Sequence, residues 1–180
     1  VLAAGTVLLF SAVPGGFVPV QDKQSLVPVI QLPDGASLDR SDRLIRALSK
    51  VIRETEGVSH TIDLPGYSTV LSTNISNAGG MFVILSPFEE RAGKAELSAP
   101  AVLKKLREEF RKFPEAQIAI FGAPPVEGLG STGGFKLQIQ DRRNAGLRAL
   151  QGGVQNLVEQ GMTQHADQLS GLFSTFSVAQ

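Results

Sequence analysis

Ser37 to Leu64, SLDRSDRLIRALSKVIRETEGVSHTIDL, changes its period halfway along. From Leu44 the apolar residues Leu44, Ile45, Leu48, Val51 and Ile52 recur at helical spacing with charges between them, Ser37 is a good N-cap, and Gly57 is a stop. Directly after it, Val58, His60, Ile62 and Leu64 alternate with Ser59, Thr61 and Asp63, which is the period of a half-buried strand, until Pro65-Gly66. An amphipathic helix feeding straight into a strand is the middle of a βαβ arrangement. Upstream, Leu26 to Gln31 is rich in Val, Ile and Leu and ends at a Pro33-Asp34-Gly35 turn, so it reads as the preceding strand.

Downstream, residues 65–79 are poor in charge and rich in Gly, Ser, Thr and Asn, and read as a long loop before an apolar strand at Met81 to Leu85. Ser98 with Pro100 in the first turn opens a second helix that carries Val102, Leu103, Leu106 and Phe110 inward and closes at Pro114. Gln117 to Phe121 is the next strand. The order βαββαβ predicts an α+β fold, a ferredoxin-like subdomain with two helices on one face of an antiparallel sheet. After the Gly/Pro-rich stretch 122–134, Phe135, Leu137 and Ile139 alternate as a strand, Leu147, Leu150, Val154, Leu157 and Val158 mark a helix, and Leu172 to Phe176 reads as a strand. That is half of a second unit of the same kind.

Composition narrows the function. The chain has 180 residues, with 17 Lys and Arg against 17 Asp and Glu, so no global field draws in nucleic acid. Without Cys there is no disulfide framework, thiolate metal site or thiol nucleophile. Gly128-Leu129-Gly130-Ser131-Thr132-Gly133 fits the dinucleotide fingerprint by letter, but a strand pattern follows it where a helix N-terminus is required. His60 and His165 are far apart and lack partners at metal-ligand spacing. Glu89-Glu90-Arg91 reads as a solvated turn. No catalytic constellation emerges, and the chain is not expected to be an enzyme or to need a cofactor.

Three segments, Gln31 to Leu38 (QLPDGASL), Ser76 to Val83 (SNAGGMFV) with Ser86 to Arg91 (SPFEER), and Phe121 to Arg142 (FGAPPVEGLGSTGGFKLQIQDR), resemble in order the hydrophobe/amphiphile multidrug efflux pumps of the resistance-nodulation-division superfamily. The likeness is to the C-terminal half of such a pump. It implies that residues 1–14, uncharged and starting at Val1, are the end of a transmembrane helix. Residues 15–127 would be the first porter subdomain of that half, and residues 128–180 the first half of the second, cut near the docking-domain insertion. The resemblance further implies a proton-driven homotrimer in the bacterial inner membrane, working with a periplasmic adaptor and an outer-membrane channel. This segment would sit on the periplasmic side and be joined to the membrane through helices outside the chain.

By matching positions, Ile62, Gly66, Tyr67, Thr69 and Phe82 resemble the pocket wall and its Gly-containing switch loop, and Ala119, Phe121, Leu129 and Ser131 the entrance cleft for amphiphilic substrates. Ile62, Thr69 and Ala119 stand where the well-known drug pumps carry aromatics, so stacking surface is reduced. On residues alone, Ile62, Phe82 and Phe121 are equally compatible with an ordinary core. A free-standing βαββαβ module that binds a small ligand or acts as a regulator remains the alternative.

Overall fold

The computed structural model describes residues 21–124 and 135–165, together with 169, 172–174, 176 and 178. β1 (Ser25–Gln31) is followed by α1 (Leu38–Arg53), β2 (Val58–Ser68), β3 (Thr73–Leu85), a one-turn α2 (Phe88–Arg91), a 3-10 turn (Ala95–Leu97), α3 (Ala99–Phe110), β4 (Gln117–Gly122) and α4 (Leu147–Gln164). The strands form one four-stranded sheet in the order β2-β3-β1-β4, every neighbouring pair antiparallel. This is the α+β, βαββαβ unit expected from the pattern.

Local chemistry fixes each helix. The Ser37 hydroxyl accepts from the Arg40 backbone N–H at 3.3 Å, and Lys50 and Arg53 stand in the last turn of α1, where the helix dipole favours cations. Pro100 occupies the first turn of α3, where its missing N–H costs nothing. The apolar stripes of α1 (Leu44, Ile45, Leu48, Ile52) and α3 (Val102, Leu106, Phe110) lie on the same face of the sheet and bury Leu26, Ile30, Met81, Val83, Leu85 and Ile120. Fully burying side chains of this size stabilises the fold by about 1.5–3 kcal/mol each. β1, between β3 and β4, is buried on both faces.

Four expectations change. Residues 65–79 are not a long loop: β2 and β3 extend through them as a hairpin whose turn is only the stretch 69–72. Pro65 and Gly66 are absorbed at a register irregularity, because Pro65 pairs with Gly79 whereas Tyr67 pairs with Asn74. Phe135 to Gln140 has the alternation of a strand yet is unpaired and exposed, and residues 172–174 and 176 are not strand either. Alternation supplies a candidate face, but a strand exists only where another strand meets its backbone groups. Of the second unit, α4 is the element among the described residues. The segments 1–14 and 128–133 lie outside them. Among the described residues no helix is long and apolar enough to cross a membrane.

The fourth change concerns Arg91, which is not a solvated turn residue. It is buried at the end of α2, donating to Ser86 O at 2.7 Å, to Leu97 O at 3.2 Å and to both carboxylate oxygens of Asp22 at 2.7 and 3.3 Å, with its guanidinium 5.1 Å from the Phe88 ring centroid. The pair ties the residues before β1 to the β3–α3 connection. Partial burial pushes the Asp22 carboxyl up, but the Arg91 hydrogen bond, the Gln24 N–H, the Arg91 charge and the Ala99 N–H together outweigh it and hold the pKa below its ordinary value. A depressed folded-state pKa adds stability that is present above the unfolded value, about 3.9, and is lost as pH falls through the folded one. Urea denaturation should therefore show Arg91→Ala costing about 3 kcal/mol at neutral pH. The difference between the two proteins should shrink only below about pH 4; a cost under about 1 kcal/mol would contradict this role for the pair.

Candidate functional site

The two faces of the sheet are unequal. Thr61 pairs with Val83 and Asp63 with Met81, both in the core under the helices, and the Thr61 and Ser49 hydroxyls are hydrogen-bonded at 2.8 Å. Ile62 and Leu64 therefore point to the face that α1 and α3 do not cover. The plain alternation from Val58 would have put Ile62 on the core side with Val58. A register irregularity between Val58 and His60 breaks it, so Val58 packs against the core and Ile62, 52% exposed, faces away.

Register then assembles two rows on this open face. Ile62 pairs with Phe82; between the pairs Leu26↔Val83 and Val29↔Gly80, Phe82 falls opposite Val27; and Val27 pairs with Phe121. The neighbouring row runs Leu64, Gly80, Val29, Ala119. Neither row contains a charged or hydrogen-bonding side chain. Val27 and Val29 are buried, Phe82 and Phe121 are half-buried, and none of the four belongs to the core cluster under the helices. The structure thus brings together Ile62, Phe82, Ala119 and Phe121, four of the residues singled out in the sequence, as one apolar strip across all four strands.

The hairpin tip overhangs this strip. Gly66 has φ +75°, a left-handed conformation that favours glycine, and sits against Leu38 Cδ1 where the hairpin passes the start of α1. Ser41 Oγ donates to Ser76 O at 2.5 Å, and Asn77 Nδ2 donates to Leu32 O and Asp34 Oδ1, both at 3.3 Å, which pins the base of the hairpin. Beyond it the tip returns over the open face: Thr69 is 3% exposed and its methyl rests on Gly80. Tyr67 is half-buried on the same tip. Thr69, expected in a polar loop, is thus a packed residue.

At the β4 edge, the Phe121 ring lies 5.8 Å from that of Phe173 and is tilted by 33° to it, within the range of aromatic pairing. Beside it a cavity of about 550 Å³ opens between Ala119 on β4 and Val154, Val158 and Met162 on α4, with Phe173 and Phe176 on its wall. Leu129 and Ser131, expected at the entrance, lie outside the described residues, as does the glycine-rich fingerprint. Sequence reasoning missed Val27, Leu64 and Phe173. All three were visible as apolar residues of expected strands, but only register and packing tell which face they take. Among the described residues no group of three or more His, Asp or Glu could hold a metal ion. The two apolar rows can bind by burial.

Comparison with known proteins agrees with the segments noted in the sequence. The model of the AcrB/AcrD/AcrF family matches residues 1–180. The chain is 32% identical over 151 residues to the multidrug export protein AcrF of Escherichia coli strain K12, a match covering 83% of this chain and 14% of that protein. It is 27% identical to the multidrug/solvent efflux pump membrane transporter MepB of Pseudomonas putida and 26% to the multidrug resistance protein MdtF of Escherichia coli strain K12, each over 151 residues with the same coverage of 83% and 14%. The chain therefore spans about one seventh of the length of these relatives.

The exposures separate the open face from the core in a way that denaturation can check. Leu48→Ala, under α1 and 0% exposed, should cost about 2–5 kcal/mol, whereas Ile62→Ala should cost less than about 1 kcal/mol. Equal losses would place Ile62 in the core after all.

Proposed function

This chain belongs to the AcrB/AcrD/AcrF family, and on that premise we propose that it is part of the periplasmic porter domain of a proton-driven multidrug efflux transporter, where its open sheet face is a wall of the binding pocket for amphiphilic compounds. In this reading residues 1–14 are the end of a membrane helix, residues 15–127 the first porter subdomain of the C-terminal half, and residues 128–180 the start of the second. The complete protein is a homotrimer of the bacterial inner membrane that hands its substrates on through a periplasmic adaptor and an outer-membrane channel. Proton coupling belongs to parts of the transporter outside this chain, which contributes walls and no covalent chemistry.

The observation that carries the reading is the apolar strip Ile62–Phe82–Val27–Phe121, with Ile62 left half-exposed on a face the helices do not cover. Covering apolar surface is worth about 25 cal/mol per Å², so a ligand that lays 100 Å² of hydrocarbon on the strip gains about 2.5 kcal/mol without any directional demand. Many amphiphiles satisfy so loose a condition, and each binds weakly enough to be released. The cavity between Ala119 and α4 continues the strip past Phe121 and suits the entrance side of the same route. The overhanging tip with Gly66, Tyr67 and Thr69 forms its margin.

Drug-susceptibility testing of cells that carry the complete transporter checks this. Phe82→Ala and Phe121→Ala each remove a ring from the strip and should weaken binding of apolar amphiphiles by about tenfold, read as a lower inhibitory concentration at unchanged expression. If no exported compound responds to either change, the strip is not part of the route.

A further inference from the structure

Gly80 stands in the middle of the open face, flanked by Leu64 on β2 and Val29 on β1. Its φ lies outside the left-handed region, so the backbone there does not require glycine. The space does. A Cβ at position 80 would collide with the Thr69 methyl carbon Cγ2, whereas its next neighbours, Tyr67 O at 3.4 Å and Thr69 Cβ at 3.5 Å, are at ordinary van der Waals distance. One methyl group from the hairpin tip thus fills the volume that a side chain at 80 would take, and it is shut in, Thr69 being 3% exposed. The tip that delivers it is set apart from the regular sheet: its pairing resumes at Tyr67↔Asn74 after the irregularity at Pro65↔Gly79, and Ser72 closes its turn at φ 53° with the Leu71 N–H donating to Ser68 Oγ at 3.3 Å.

We infer that Gly80 and Thr69 form a socket and plug that hold the hairpin tip on the apolar face, and that position 80 thereby determines which sizes of amphiphile the pocket accepts. With the plug seated, Gly80 and its neighbours Leu64 and Val29 lie at the covered end of the strip, and a ligand is left with Ile62, Phe82 and Phe121. A side chain at 80 lifts the tip and lengthens the reachable strip towards Val29, which favours larger apolar molecules. The inference rests on the open face being a ligand wall; the socket itself does not.

The chemistry of the two residues provides a clean test. Thr69→Ser deletes the colliding methyl and Gly80→Ala adds one at nearly the same place, so the double variant T69S/G80A conserves the packed volume. In the complete transporter, G80A should raise the ratio of resistance towards a large over a small amphiphile by about fivefold or more, the effect of overpacking by a single methyl group, and T69S/G80A should bring that ratio back to the parent's. The pair T69C/G80C tests the socket without reference to transport: the Cβ separation of 3.5 Å lies in the range of disulfides, so the two cysteines should cross-link on mild oxidation while single-cysteine controls do not. Absence of the cross-link overturns the socket. A cross-link together with a G80A ratio equal to the parent's, or with no recovery in T69S/G80A, overturns the selectivity role. If Phe82→Ala and Phe121→Ala leave export untouched while the cross-link forms, the pocket assignment and the selectivity role fall together and the socket stands.

Discussion

The sheet has two faces and the helices of the βαββαβ unit cover one. That asymmetry governs the rest of the structure. The stripes of α1 and α3 meet Leu26, Ile30, Met81, Val83, Leu85 and Ile120 and close a buried core. On the other face, β1 still presents Val27 and Val29 and β3 presents Phe82, although no helix of the unit is there to receive them. An apolar sheet face without a helical layer must be covered by something else. Here the cover is partial: Thr69 from the hairpin tip over Gly80, and Phe173 against Phe121.

The polar residues of β2 follow the same asymmetry. An ordinary half-buried edge strand would turn its apolar residues towards the helices and its polar ones to solvent. β2 does the reverse beyond its first register irregularity, sending Thr61 and Asp63 towards α1 and Ile62 outward. The hydroxyl of Thr61 is satisfied by Ser49 on α1, so the inversion leaves that group hydrogen-bonded. Apolar atoms left accessible on a face whose two rows carry no polar side chain are what a low-specificity hydrophobic binding surface needs, and membership of a family whose relatives are multidrug exporters is what the proposed function builds on.

Much of this was legible in the sequence. The switch of period at Gly57 fixed the order of the elements, and the N-cap at Ser37 and the apolar stripes of both helices stand where the pattern put them. Three features were not legible, each for a physical reason. The hairpin of β2 and β3 was hidden because Pro65 and Gly66 normally end a strand, and only the partner strand shows that an irregularity absorbs them. Arg91 read as solvated because its carboxylate partner is Asp22, distant in sequence. Phe135 to Gln140 has the right alternation but no strand to pair with among the described residues. Of the candidate site, the family resemblance supplied the residue set; register alone showed that Ile62, Phe82 and Phe121 share one row and that Val27 joins them.

The claim that most needs direct examination is that ligands lie on the uncovered face of the sheet. Photolabelling the complete transporter with a photoreactive amphiphile, followed by peptide mapping, would show where a bound molecule sits. Label should concentrate on Ile62, Phe82 and Phe121, and an excess of unlabelled amphiphile should remove it. Label confined to the outer surfaces of α1 and α3, or label on the strip that no competitor displaces, would contradict the assignment.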